Sequence, residues 1–340
     1  MIPWREHGVS RIKVYAWRGP KPVTKESAMS RLVRLIAMLT AASLLAVGCS
    51  TQSPPASSET QTQPSAEAES TPSAAPPELI GGGTEIFPDR RFIALYGHPE
   101  YPELGALGEQ GPQASVERVI ELAEMYEAHA SENIIPAFEI IATMASASPG
   151  ADGNYSAVAD SQALEAYVDA AAEHDVYVVL DLQPGHADFL SQAKLFEDLL
   201  TRPNVGLALD PEWRLAPGQR HMEQIGSVSA AEINETTQWL AELTAKHDLP
   251  QKLVILHQFR LSMIRGREQV DTNHPELAMV LHADGHGTAE QKMATWRSLK
   301  EDLPDNMYMA WKNFFRQDKP MFAPRDTFEI EPKPWFVSYQ

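Results

Sequence analysis

The segment Val205–Leu215, VGLALDPEWRL, runs through apolar residues and then shows two carboxylates, Asp210 and Glu212, one residue apart. Residues i and i+2 of a strand point to the same side. Two carboxylates so placed cannot both ionise easily, so a proton is shared and one pKa rises. A carboxylic acid still protonated near neutral pH is what a glycosidic leaving group requires. Asp181/Gln183 and His282/Asp284 repeat the spacing. A single polar strand end is equally an ordinary strand running into a polar turn, so only several such ends can answer the question.

Eight apolar, β-branched or aromatic runs follow one another: 91–97, 135–142, 176–182, 205–210, 252–259, 277–284, 306–311 and 334–340. Every one holds or ends in polar groups. In order these are Tyr96 with His98, Glu139, Asp181 with Gln183, Asp210 with Glu212, His257, His282 with Asp284, Trp311-Lys312-Asn313, and Tyr339-Gln340. Ionised groups among apolar residues carry a desolvation cost, so eight such ends imply a working site. Glu212, Asp210 and Asp181 are the expected catalytic carboxylates. Tyr96, Trp213, Trp311 and Tyr339 are expected to stack on sugar faces. His98, Glu139, Gln183, His257, His282 and Asp284 complete the expected binding surface. Glu139 has a structural alternative, an ion pair with Arg260.

Helical patterns separate most of the runs. SVERVIELAEMYEAHA places Val116, Val119, Ile120, Leu122 and Ala123 on one face, with Ser115 as its cap. SQALEAYVDAAAEHD, ADFLSQAKLFEDLLTR, SAAEINETTQWLAELTAKHD and AEQKMATWRSLKED behave alike. Strands buried on both faces and followed by helices pair in parallel through right-handed crossovers. Eight units predict an α/β fold, a (β/α)8 TIM barrel over 88–340, whose strand ends carry the site. The C-terminal end is expected to be irregular: 314–333 is Pro-rich and weakly helical, and no helix follows the eighth run. An open doubly wound sheet fits less well, since no glycine-rich phosphate turn follows the first run. Gly81-Gly82-Gly83 precedes it and reads as a flexible junction.

GLALDPEW resembles the fourth-strand motif of chitinase-like glycoside hydrolases, where glycine and aliphatic residues lead into Asp-X-Glu. Gly206, Asp210 and Glu212 match it. The resemblance implies that Glu212 is the acid and that Asp210 holds the substrate amide or shares its proton. It covers about ten residues and the barrel outline. Val205 and Ala208 stand at the family's earlier acidic positions, and Pro211 replaces its apolar spacer. Asp181 or Glu139 is then the alternative second carboxylate. No cofactor and no metal is assigned. A metal-dependent hydrolase built from strand-end His, Asp and Glu, and a non-catalytic lipid-anchored binding protein, are the competing functions.

Upstream of the barrel, Arg31 and Arg34 precede an apolar stretch, Leu35 to Val47, and then Gly48 and Cys49. That layout is a secretory signal, too short for a membrane span. Leu45-Ala46-Val47-Gly48-Cys49 resembles a bacterial lipobox, which implies acylation of Cys49. Residues 1–48 read as an upstream extension and lipoprotein signal, with Met29 the expected initiator. Residues 49–87 read as the lipidated Cys and a Ser/Thr/Pro/Glu-rich tether, expected to be disordered because residues 50–78 hold no aromatic or branched aliphatic residue. Cys49 is the only cysteine, so structural disulfides, thiolate metal sites and a cysteine nucleophile are excluded. The formal charge is −18; the first 48 residues hold eight basic and two acidic residues, leaving −24 beyond them. Such a surface repels nucleic acid and anionic headgroups. The expected partners are a carbohydrate and, through the lipid alone, the outer face of the cell membrane. Two acyl chains anchor stably where one does not. A Cys49→Ser variant should therefore move from the membrane to the soluble fraction on cell fractionation; full retention in the membrane would contradict acylation.

Overall fold

A computed structural model describes residues 77–340. The signal segment, Cys49 and the tether as far as residue 76 lie outside the described residues. Among the described residues, no helix is long and apolar enough to cross a membrane.

Eight strands form a closed, all-parallel barrel: β1 (Arg90–Gly97), β2 (Asn133–Ala145), β3 (Tyr177–Leu182), β4 (Val205–Leu209), β5 (Lys252–Gln258), β6 (Leu277–Ala283), β7 (Met307–Asn313) and β8 (Phe336–Tyr339). Each pairs with the next, and β1 pairs with both β2 and β8, which closes the ring. The fold is the expected (β/α)8 barrel. Its outer layer includes α1 (Pro112–Glu127), α2 (Ser161–Glu173), α3 (Phe189–Ala193), α4 (Glu197–Leu200), α5 (Ala230–Lys246), α6 (Ala289–Lys300) and α7 (Pro324–Phe328). Gly111 and Pro112 start α1, so Ser115 is not its cap but a buried residue one turn inside it. The single helix expected over ADFLSQAKLFEDLLTR is broken by a 3-10 turn, Lys194–Phe196, between α3 and α4. Only 3-10 turns and a two-residue strand, Ile264–Arg265, join β5 to β6.

Period-two alternation divides the strand side chains into two apolar sets. Ile93, Leu95, Phe138, Ile140, Val178, Leu180, Leu207 and Leu256 pack outward against the helices. The inward set is layered. At the amino-terminal end Phe92 meets Tyr177 and Phe336, with ring centroids 5.1 and 6.2 Å apart. Phe87, lying before β1, packs on Phe92, Tyr308 and Trp335 and extends this aromatic plug. A layer of smaller aliphatic residues follows along the strands, Ala94, Ala137, Ala208 and Ala310, with Val179, Ile255 and Val280, while Ala278 lies one step deeper opposite Leu253. The next inward position on each strand is polar.

The plug corrects the expected domain boundary. Leu79, Ile86 and Phe87 are buried in the inner cluster, so the folded unit begins before residue 88. Gly81-Gly82-Gly83 is not a loose junction. All three glycines have positive φ in a turn held by Leu79 N–H donating to Gly83 O and Gly82 N–H donating to Leu79 O, each at 2.8 Å.

Gly206, the glycine of the chitinase-like motif, has a packing role. A Cβ there would lie 2.4 Å from the Leu253 carbonyl oxygen and 3.0 Å from the Tyr177 hydroxyl, which accepts the Leu253 N–H at 3.1 Å. Backbone cannot retreat as a flexible side chain can. Gly206→Ala should therefore cost about 1–3 kcal/mol through overpacking, read as a lower urea midpoint with an unchanged slope.

Candidate active site

At the carboxyl ends of the strands the inward positions carry Tyr96 (β1), Glu139 (β2), Asp181 (β3), His257 (β5), His282 (β6), Lys312 (β7) and Ser338 (β8), all buried. Asp210 follows β4 and is also buried. Register sets neighbours: Tyr96 lies opposite Glu139, His257 opposite His282, and Lys312 opposite Ser338. The alanine layer beneath gives these long side chains room to converge.

His257 is the hub. Its Nε2 lies 2.8 Å from Glu139 Oε1 and 4.0 Å from Asp181 Oδ1, and its Nδ1 lies 2.8 Å from Asp284 Oδ2. Lys312 Nζ reaches Asp284 Oδ2 at 3.3 Å and sits 3.5 Å from the centre of the Tyr96 ring. The Tyr96 hydroxyl donates to Asp181 Oδ2 at 2.9 Å and accepts from Gln183 Nε2 at 3.3 Å. Asp210 caps the 3-10 turn Pro211–Trp213, accepting the Glu212 N–H at 3.1 Å.

Burial and charge sort the carboxyls into two groups. Burial alone would raise Glu139, but His282 and His257 hold it well below the usual range. Asp284 is likewise lowered, because Lys312 and the His257 hydrogen bond outweigh its burial. Burial would discharge His257; Glu139 and Asp181 instead keep it an imidazolium, with its pKa well raised. Lys312 is also raised, burial being overcome by Asp284, Glu139, Asp210 and Asp181. The remaining acids go the other way. Burial pushes Asp210 well up, with Asp181 and Glu212 adding, and lifts Asp181 to about 6. Glu212 rises to about 7 through burial and the charge of Asp284. At neutral pH the site thus holds fixed ions and proton-bearing acids side by side, the arrangement acid–base chemistry needs.

Most of the expected residues converge here; Trp311, Tyr339 and His98 do not, for physical reasons. Trp311 and Tyr339 do not face the mouth, because they are out of phase with Lys312 and Ser338. Trp311 stacks on Phe322 at 5.4 Å and meets Trp296 edge-on, while Tyr339 bonds the Tyr126 hydroxyl on α1. Both belong to the cluster between strands and helices. His98 is buried in the loop after β1, where Nδ1 accepts the Glu100 N–H at 3.1 Å and burial lowers its pKa to about 4. Glu139 pairs with histidines and not with Arg260, which is exposed. Glu212 is not on a strand, since β4 ends at Leu209, but it stays half-buried beside the other acids. Trp213, half-buried, leans on His221 at 5.4 Å. Gln183 is tied down, its Oε1 accepting the Ala145 N–H at 3.0 Å.

Lys312 and Ser338 were missing from the expected set. Their signal was the phase of the alternation: Tyr308, Ala310 and Lys312 repeat the inward sequence of Phe92, Ala94 and Tyr96. No protein-family model matches the chain, and no curated protein matches it. The site is therefore defined by its geometry, an acidic barrel mouth with a buried imidazolium.

Glu212 has a folded pKa near 7 against an ordinary 4.5. A raised carboxyl costs stability once pH exceeds its unfolded value, and the cost is complete above the folded one. Glu212→Gln should therefore stabilise the protein at pH 8 by about 1–2 kcal/mol, the full shift being discounted for partial exposure. At pH 4 it should change little. Urea titrations at the two pH values check the sign.

Proposed function

We propose that this protein is a hydrolase of glycosidic bonds in a polysaccharide, secreted and held to the outer face of the membrane by lipid on Cys49. One observation carries the reading. A half-buried acid that keeps its proton to about pH 7, Glu212, stands beside two buried carboxyls of different charge, Asp210 and Asp181. The chitinase-like Asp-X-Glu pattern adds support.

Glu212 protonates the glycosidic oxygen as the bond to the anomeric carbon breaks. Asp181, ionised above about pH 6, stabilises the positive charge on the sugar, and Tyr96 fixes its orientation. Asp210 retains a proton and holds the Glu212 backbone through its cap hydrogen bond. Water then adds to the anomeric carbon and yields its proton to the carboxylate left on Glu212. Trp213 offers an aromatic face, while Gln183, its amide engaged by Ala145 and Tyr96, holds the Tyr96 hydroxyl in place. His257 and Asp284 act on the substrate through the charges they carry, and His282, whose pKa burial lowers, stays neutral.

A screen against amino-sugar and neutral glycans is the first test. General acid catalysis contributes about 10²–10⁴ in rate, so Glu212→Gln should lower kcat by that factor with KM little changed. Because the acid must be protonated, kcat should fall tenfold per pH unit above about 7. An unchanged rate in Glu212→Gln would remove the acid role. Binding of a glycan with no turnover would assign the barrel to the non-catalytic class.

A further inference from the structure

Three polar atoms in the barrel mouth are fully buried and have no hydrogen-bond partner: Glu139 Oε2, Asp181 Oδ1 and His282 Nδ1. Their residues are 0% exposed and lie around His257, also 0% exposed. Orphaned buried atoms are uncommon in folded proteins, and a group of them around one point calls for a ligand. The ion-paired network leaves this unexplained, since His257 engages only one oxygen of Glu139.

Neighbouring hydrogen bonds orient both imidazoles. His257 Nδ1 faces Asp284 Oδ2 at 2.8 Å, so with its proton there Nε2 is left to face Glu139 and Asp181. His282 Nε2 lies 3.2 Å from Ser338 Oγ, and the tautomer that donates to the hydroxyl leaves Nδ1 free. That Nδ1 is 3.6 Å from Glu139 Oε1. A carboxylate or hydroxyl on the far nitrogen is the usual way a metal-binding imidazole is held in its tautomer. Ligand atoms of Glu139, His257 and His282 all lie within 4.8 Å of one another.

The geometry points to a binding site for one divalent first-row transition metal, of the Zn²⁺ class, held by Glu139, His257 and His282, with water completing the coordination. Ligand bonds of about 2.0–2.2 Å in a tetrahedron set donor–donor separations of roughly 3.4 Å. The Glu139 oxygen lies 2.8 Å from the His257 nitrogen and 3.6 Å from the His282 nitrogen, which bracket that value, and ligand atoms of all three residues lie within 4.8 Å of one another. The ion takes the position of the Nε2 proton between His257 and Glu139. Nitrogen and carboxylate donors without sulfur suit Zn²⁺, Fe²⁺, Co²⁺ or Mn²⁺. The histidines come from β5 and β6, and β1 contributes none, because His98 is turned into its loop. The inference stands apart from the bond the enzyme cleaves, and metal content is read without any turnover.

The untagged full chain, stripped with a chelator, incubated with Zn²⁺ and desalted, should retain close to one equivalent and melt several degrees higher than the stripped protein. Glu139→Gln and His282→Ala should each reduce retained zinc to under a tenth of an equivalent, with circular dichroism confirming that they fold. Asp284→Asn, which removes the anchor of His257 and no donor, should weaken zinc affinity about 10–100-fold. One equivalent of Mn²⁺ or Co²⁺ in place of Zn²⁺, lost in the same variants, would equally support the site. A folded wild-type chain that retains none of these ions would overturn it. So would full retention of zinc by the folded Glu139→Gln and His282→Ala variants.

Discussion

Charge balance in a closed space governs this molecule. Glu139, Asp181 and Asp210, all buried, converge with the half-buried Glu212 and Asp284 at the mouth of a parallel barrel. Five carboxyls cannot all ionise there, and the barrel answers in two ways. Lys312 and the His257 imidazolium supply positive charge, which fixes Glu139 and Asp284 as anions. Asp210 and Glu212 keep protons into the neutral range, while Asp181 gives up its proton near pH 6. The proton inventory of the mouth is therefore a property of the whole set. Coulomb interactions in a poorly screened interior reach across several ångströms, so no member titrates alone.

The backbone that makes this possible is divided by depth. Aromatic rings seal the amino-terminal end, helices cover the outside, and alanines separate the plug from the polar end. Hydrophobic burial in the first two regions supports the desolvation cost in the third. Local exceptions also serve the site. The fourth strand stops at Leu209 so that Asp210 can cap a tight turn, and that turn carries Glu212 back over the mouth.

Much of this was legible from the residue pattern because parallel barrel strands are buried on both faces and read as apolar runs. All eight strands match their runs to within a few residues, and Tyr96, Glu139, Asp181, Asp210, His257 and His282 stand where strand-end polarity put them. What failed was phase. Trp311 and Lys312 are adjacent, only one can face inward, and an aromatic residue at a strand end looked like a sugar platform. The inward choice depends on matching Ala310 to the small-residue layer of its neighbours, a comparison across strands that a single run does not contain. His98 failed differently. A histidine after β1 has the right chemistry, but the loop it sits in takes its lone pair for the Glu100 amide. Residues 79–87 were misassigned because their few apolar side chains pack only against the completed barrel.

The alanine layer has a consequence for how such a protein can change over time. Because Ala94, Ala137, Ala208 and Ala310 carry little packing volume of their own, they act as a spacer between the apolar part of the core and the polar groups at the mouth. Substitutions above the spacer can exchange one strand-end side chain for another without reopening the aromatic seal below. The chemistry of the mouth can therefore vary while the foundation stays unaltered. Enlarging the spacer itself would couple the two regions and close that route.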